Sequence, residues 1–249
     1  MSYHTQSGSL SPLHTRGEQD ILRRVLDIIF AVCVLALFSV LMALIALAIY
    51  LEGGGPVFFS QIRLGKSGQP FRLHKFRKFP ADSGRVGPAV TVRGDARMTA
   101  VGRILERTKL DELPQLWNIL AGDMAVVGPR PESLAFAGCF ARGYSGVLDF
   151  KPGIFGPCQV LFRNEGCLYE GGYEPEEYYS RVLFPLKAHA DLAYFKTRSL
   201  RSDGWCIVHG TLAVLGLSRL SCNTLPSVAE VEALVRHLRN RSRRWHITA

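Results

Sequence analysis

Two adjacent carboxylates, Asp111 and Glu112, lie between leucines in "TKLDELPQLWNILAGDMAVVGPRPE" (residues 108–132), just ahead of Pro114. Downstream, Arg130 stands between Pro129 and Pro131, and a residue that precedes proline avoids the α region, so this arginine is held extended. Cations gather around the acid pair: Arg107 one turn back, and "KFRK" at 75–78 further upstream. If Asp111 is an N-cap, Pro114 falls at the third helical position, where no intrahelical donor is lost. Helical spacing then puts Leu113, Leu116, Trp117 and Leu120 on a buried side, with Asp111, Gln115 and Asn118 along another. Free N–H groups and the dipole favour anions there. The plain alternative is a capping aspartate with no chemistry. Two acids among cations fit a divalent metal, Mg²⁺ by preference, with phosphoryl transfer. An aspartate can also attack phosphorus itself and carry it covalently. No P-loop, no G-x-G-x-x-G after a strand and no kinase signature is present, so a nucleoside triphosphate is not the evident donor.

Several elements must position these groups. "VFFSQIRL" and "PFRLHKFRKF" around "GKSGQ" read as two strands and a turn. Residues 80–95 are loop-like, and "ARMTAVGRILERT" has the period of a helix leading into the acid pair. A helix is expected near 132–142 and two more on either side of Pro185, with a turn-rich loop at "FKPGIFGPCQV" between. "GWCIVHGTLAVLG" is apolar but too short to cross a bilayer. The last helix opens with a capping box, Ser227 to Glu230, and ends in five arginines from Arg236 to Arg244, which reads as a basic amphipathic helix at lipid headgroups or a frayed end.

The first twenty residues are polar and read as a disordered tail. From Ile28 to Leu51 no residue is charged, giving roughly 36 Å of helix against a bilayer core of about 30 Å. The run is too long for a signal-peptide core, so it is a membrane segment. Basic residues flank both of its ends, Arg23 and Arg24 before and Arg63 to Lys78 after. A helix that enters, bends near Ser39 and returns to the same face satisfies both flanks; with no proline or glycine inside, a straight span stays open.

The chain has 249 residues, is 47% hydrophobic and carries a formal charge of +9. That size supports one core plus a membrane segment, and the charge calls for a polyanionic partner: nucleic acid, an anionic membrane or a phosphorylated small molecule. Ten Lys or Arg against two acids lie between Gln61 and Arg103, next to the membrane segment. Six scattered cysteines form no C-x-x-C pair, which speaks against a zinc site or a disulfide framework.

The ordered set "RRVLDIIFAV…GGPVFFSQIRLGKSGQPFRLHKFRKF…LDELPQLWN…GDM…VGPRP…KPGIFGPCQV" resembles the bacterial sugar transferases, the monotopic phosphoglycosyl transferases, over about residues 21–205. The resemblance implies an α+β, mainly helical fold with one N-terminal re-entrant membrane helix. It also implies a cytosolic catalytic domain with a short β-hairpin and interfacial amphipathic helices. Segments follow as a 1–20 tail, 21–52 membrane helix, 53–205 catalytic domain and 206–249 C-terminal extension. Transfer of a sugar-1-phosphate from a nucleotide diphosphate sugar to a polyprenyl phosphate is implied, with release of UMP from a UDP donor. Asp111 would be the nucleophile, with Glu112 as its catalytic partner, and the two together would hold Mg²⁺. Lys75, Arg77, Arg107, Gln115 and Arg130 would bind substrate. The expected partners are the donor, the polyprenyl phosphate and the lipid bilayer, with no nucleic acid, at the cytoplasmic face of a bacterial inner membrane. Four positions depart from the family pattern: Val40 for a proline, Glu106 for a basic residue, Lys109 for serine and Phe155 for threonine. Two competing readings are a membrane-anchored adaptor for anionic lipid or nucleic acid, and an inactive homologue.

Overall fold

The structure, a computed structural model, describes residues 12–81, 95, 97–168, 174–217, 220 and 225–240, with side chains for all of these except 12–18, 167 and 238–240. Apolar sequence from Ile28 to Leu51 builds a long first helix, α1 (Pro12–Gly53). It begins well before residue 21, so residues 12–20, expected in the tail, are helical, while 1–11 lie outside the described residues. Gln19–Gly53 is long and apolar enough to cross a membrane by length and composition. One side of α1 packs on the protein through Ala31, Met42, Ile45 and Ile49. The opposite stripe, Leu37, Val40, Leu44, Leu47 and Leu51 at three- and four-residue spacing, is exposed.

Strands β1 (Phe58–Leu64) and β2 (Pro70–Phe76) pair antiparallel, Phe58 opposite Phe76 and Leu64 opposite Pro70, as the sequence pattern indicates. The loop expected over 80–95 is described only at residues 80, 81 and 95. Then α2 (Ala100–Thr108), capped by Thr99, leads through a tight 3₁₀ turn at Leu110–Glu112 into α3 (Gln115–Ala121). A second two-stranded sheet pairs β3 (Ala125–Val127) in parallel with β4 (Gly153–Phe155). Between them, the helix expected near 132–142 is reduced to a 3₁₀ turn and one short turn of helix, α4 (Ala137–Phe140).

Helix α5 (Pro157–Leu161) follows β4. Helices α6 (Pro175–Tyr178) and α7 (Phe184–Phe195) flank a π-helical turn, and Pro185 sits in the first turn of α7, where its missing N–H is harmless. Helix α8 (Leu200–Val214) contains the 205/206 boundary, so that division falls inside one element. The last helix, α9 (Val228–Asn240), starts with the Ser227–Glu230 capping box, the Glu230 amide donating to Ser227 Oγ at 3.3 Å and the Ser227 amide to Glu230 Oε2 at 2.7 Å. Its Val231 and Val235 are buried in the main core, so the apolar side of α9 is spent on the protein. The arginines beyond residue 240 lie outside the described residues.

The main core runs from Leu116, Ile119 and Met124 through Val160 and Leu161 to Tyr194 and Cys206. A smaller one joins the second half of α1 to Phe76 and Leu105. Both ends of α1 are tied to this body. Arg24 donates to the carbonyls of Ile119 (2.5 Å) and Leu120 (2.9 Å) at the end of α3, and the Val126 amide donates to Asp27 at 3.0 Å. At the other end Glu52 accepts from the Ala100 amide at 2.7 Å, the free N-terminus of α2.

Candidate active site

The chain reaches the acid pair through a left-handed residue, Lys109 (φ 58°), a conformation usually left to glycine or asparagine. It folds residues 110–112 into the 3₁₀ turn, with the Glu112 amide donating to the Lys109 carbonyl at 3.1 Å. Asp111 is therefore not the N-cap of α3. Pro114 occupies the cap position, and no side chain caps that helix. The buried side of α3 changes accordingly to Gln115, Leu116, Asn118 and Ile119, while Trp117 is exposed, its ring edge-on to Phe58. Asn118 docks the helix on β2, accepting from the His74 amide at 3.1 Å and donating to the Arg72 carbonyl at 2.7 Å. Freed from capping, both carboxylate oxygens of Asp111 are buried without a hydrogen-bond partner. A carboxylate left so is costly unless a charge or a ligand compensates.

The compensating charge is Lys78, whose Nζ lies 3.4 Å from Asp111 Oδ2 and also pairs with Glu106. Lys109 approaches Glu106 at 3.5 Å from the other side. Burial opposes charge on Glu106, yet Lys109 and Lys78 outweigh it and take its pKa down to about 2. Burial likewise disfavours the Lys78 ammonium, but Asp111 and Glu106 push its pKa up, so it stays charged. Glu112 is bound by Lys75 at 2.8 Å and by Arg130 at 3.7 Å, both at Oε1. Burial alone would raise the Glu112 pKa; these two cations drive it well below the usual carboxylate range.

Arg130 is placed by the second sheet. Gly128 and Gly153 lie so close that a Cβ on Gly153 would sit 2.1 Å from the Gly128 nitrogen, and the Gly153 amide donates to the Pro129 carbonyl at 2.9 Å. On the opposite wall, Tyr179 donates to Glu132 at 2.6 Å, and Lys187 binds the Tyr179 hydroxyl (2.8 Å) and Glu165 (3.0 Å). These groups surround a cavity of about 920 Å³, lined on its polar side by Lys75, Lys78, Glu112, Arg130 and Arg163, and on its apolar side by Phe30, Val34, Phe155 and Val214. Asp111 is 1% exposed and lies beneath its floor, behind Lys78 and Glu106.

The expected site residues thus separate. Lys75, Glu112 and Arg130 meet at the cavity, and exposed Arg107 lines its edge, its carbonyl accepting from Arg163 at 2.9 Å. Gln115 is buried and faces a void of about 20 Å³ behind Glu112, room for a water but no substrate. Arg77 points away. Its guanidinium donates to the carbonyls of Gly53 (3.2 Å), Gly54 (2.8 Å) and Gly55 (3.3 Å), closing the C-terminus of α1. Strand alternation explains this: Lys75 and Arg77 share a face, but β2 ends at Phe76, so the side rule no longer governs Arg77 and Lys78. Glu132, Glu165, Tyr179 and Lys187 had no local signal, because their partners are distant in sequence, and Lys78 was read only as one cation of the KFRK run.

For Mg²⁺, Asp111, whose oxygens accept no hydrogen bond and have Lys78 beside only Oδ2, and a Glu112 whose ion pairs fall on one oxygen are the carboxylates that would hold the ion. Among the described residues no group of three or more His, Cys, Asp or Glu is arranged to hold a metal without help. Mg²⁺ commonly takes one or two carboxylates plus substrate phosphates and water, so Asp111 and Glu112 would hold it only together with those.

Residues 18–216 match the family model described as bacterial sugar transferase. The chain is 37% identical over 206 residues to a protein of Aeromonas hydrophila named UDP-N-acetylgalactosamine-undecaprenyl-phosphate N-acetylgalactosaminephosphotransferase, a match covering 81% of this chain and 44% of that protein. It is 40% identical over 187 residues to a UDP-glucose:undecaprenyl-phosphate glucose-1-phosphate transferase of Caulobacter vibrioides, covering 74% and 66%. A protein of the same name from Escherichia coli is 39% identical over 147 residues, covering 58% and 32%. The matches span from about a third to two thirds of the length of these relatives.

Proposed function

The chain belongs to the bacterial sugar transferase family, and from that premise we propose that it moves a sugar-1-phosphate from a UDP-sugar to undecaprenyl phosphate. This would be a membrane step of exopolysaccharide or surface-glycan synthesis. The observation that carries the reading is Asp111, a buried carboxylate with no hydrogen bond to either oxygen and a lysine shared with Glu106 beside it. Such a group is not spent on a helix cap, and its one ion partner is shared with Glu106, so it is available as a nucleophile.

An Asp111 oxygen attacks the β-phosphorus of the donor; the bond from that phosphorus to the bridging oxygen breaks, and UMP leaves with the electron pair. Arg130 and Lys75 neutralise the diphosphate, and Lys78 is drawn from Glu106 and Asp111 toward the incoming phosphate, which uncovers the nucleophile. A phosphate oxygen of undecaprenyl phosphate then attacks the same phosphorus, and Asp111 departs as a carboxylate. Mg²⁺ held by Asp111 and Glu112 would supply further charge neutralisation on the diphosphate. The exposed leucine stripe of α1 suits a bilayer, with the catalytic body on the cytoplasmic face of the inner membrane beside the basic segment 61–78.

Asp111→Asn is expected to abolish UMP release across a panel of UDP-sugars with undecaprenyl phosphate. Donor alone should add the mass of a phosphosugar to the active wild-type enzyme at residue 111. An active preparation that shows no such adduct refutes the covalent route, and full activity in excess chelator refutes the role given to Mg²⁺. If Asp111→Asn releases UMP at the wild-type rate, Asp111 is not the nucleophile; if the wild-type protein releases none from any donor, the adaptor reading gains.

A further inference from the structure

The apolar half of the cavity has a defined shape. Arg23 of α1 and Asp203 of α8 form an ion pair of 3.2 Å, which pins the two helices together at one point. Seven residues further along each helix, roughly 10 Å away, stand Phe30 and Gly210. Phe155 is wedged between them. Its ring centroid is 6.4 Å from that of Phe30, and a Cβ placed on Gly210 would lie 2.4 Å from its Cδ1. One turn beyond the wedge, Val34 and Val214 are half-buried and line the same cavity as Lys78, Glu112 and Arg130. Past them the surface stays apolar: Leu37 is 77% exposed on α1, and Leu215 and Leu217 are 64% and 66% exposed just after α8. The two helices therefore run in the same direction from their clamp, and the cleft between them leads from the phosphate-handling cations to an exposed apolar rim.

We propose that this cleft between α1 and α8 holds the isoprenoid chain of the polyprenyl phosphate acceptor, with its phosphate at Arg130 and its hydrocarbon passing Phe155, Val34 and Val214 toward the bilayer. The assignment rests on the transfer reaction proposed above. It follows from two complementary ends in one cavity: cations suited to a phosphate, and a branched apolar slot that a nucleotide sugar has no group to fill. Phe155, where threonine is common in the family pattern, narrows the slot beside a glycine that leaves room for its ring. Chain entry then requires the side chain of Phe155 to lean against Gly210 rather than into the cavity.

The test separates the two half-reactions. Val34→Trp and Val214→Trp fill the slot from opposite helices. In nanodiscs, each is assayed for UMP release from UDP-glucose and UDP-N-acetylgalactosamine without acceptor, and for transfer to undecaprenyl phosphate. Transfer is expected to fall at least 20-fold, while the acceptor-free burst stays within about twofold of wild type; citronellyl phosphate, two isoprene units long, should lose far less. Undecaprenyl transfer within threefold of wild type in both variants, at unchanged melting temperature, overturns the proposal, as does equal loss of both half-reactions. Should the variants fail to fold, a diazirine-bearing polyprenyl phosphate cross-linked to the wild-type enzyme decides. Adducts at 30–38 and 210–217, displaced by undecaprenyl phosphate but not by phosphatidylglycerol, support the cleft. Adducts confined to the Phe58–Trp117 face, or displaced equally by both lipids, overturn it. A wild-type enzyme that releases no UMP from any donor refutes the transfer reaction itself, and the cleft assignment with it.

Discussion

Lys78 holds the position on which the acid pair depends. Among the described residues it is the cation within 4 Å of Asp111, and it is shared with Glu106, itself held by Lys109. Replacing Lys78 by Met removes the countercharge from a buried carboxylate and one of the cations that line the cavity. A loss of about 100-fold in kcat is expected, in line with removing one preorganised charge partner, and Lys78→Arg should restore part of it. A steady-state assay of UMP release checks this, and an unchanged kcat for the Met variant contradicts the role. A second buried acid answers to pH. Burial pushes Asp191 up to about 7, more than Cys158 and Lys187 lower it. A carboxyl whose folded pKa is raised stabilises fully below its unfolded value near 4 and loses that contribution as pH rises through about 7. The wild-type melting temperature should therefore fall between pH 5 and pH 8 relative to Asp191→Asn, the variant being the more stable at pH 8 by on the order of a few kcal/mol; parallel melting curves across that range would contradict it. Asp111, Glu112 and Arg130 were legible because the adjacent acids and the proline flanks are local, whereas Lys75 was read from the KFRK run and the family resemblance. Lys78 was hidden in a run of basic residues that offers no means of ranking one against another. Glu106 and Lys109 stood out as departures, but only the fold shows that Glu106 pairs with both Lys109 and Lys78.

At the level of elements, the hairpin, α2 and the capping box of α9 were readable from period and turn chemistry, whereas the start of α3 was misplaced by three residues. The proline rule permits a start at either side of Pro114, and nothing local announces a left-handed lysine at 109. The helix expected near 132–142 was likewise shortened, because the Leu64 amide donates to the Glu132 carbonyl at 2.9 Å and β1 thereby fixes the backbone at its start. Arg77 marks the limit of pattern reading most clearly. Basic, in a basic strand, beside an acid pair, it reads as a phosphate ligand, yet it is 7% exposed and its donors close the end of α1. Arg77→Met leaves several carbonyls short of a partner and should cost about 1–3 kcal/mol of stability, with the KM for UDP-sugar within about twofold of wild type. A tenfold rise in KM at unchanged melting temperature would return Arg77 to the substrate.

Across the whole molecule, the decisive feature is that one body grips α1 at two places far apart along it. Arg24 and Asp27 bind α3 and β3 near one end, and Glu52 and the carbonyls closed by Arg77 bind α2 and β2 at the other. From Arg24 to Glu52 a straight helix extends roughly 40 Å, more than the hydrocarbon thickness. A helix that crossed the bilayer upright would carry these two grips to opposite sides, and one folded body cannot occupy both. Charge points the same way: Arg23 and Arg24 flank one end and Arg63 to Lys78 the other, the pattern of a segment whose two ends both face the cytoplasm. Ser39, near the middle, donates its hydroxyl to the Ala36 carbonyl at 2.9 Å, the kind of back-bond that eases bending where the family has a proline. We therefore expect α1 to enter and leave the membrane on one face. In a background with Cys33, Cys167 and Cys222 replaced by Ser, so that the remaining Cys139, Cys158 and Cys206 are buried, cysteines introduced at Gln19 and Ser60 should both react with an impermeant maleimide in inside-out vesicles and in neither case in intact cells. A cysteine at Val40, on the exposed apolar stripe, should resist the reagent from both sides until detergent is added. If Gln19→Cys is labelled from outside intact cells while Ser60→Cys is labelled only from within, α1 spans the bilayer, and the two grips then cannot coexist in the membrane-bound enzyme.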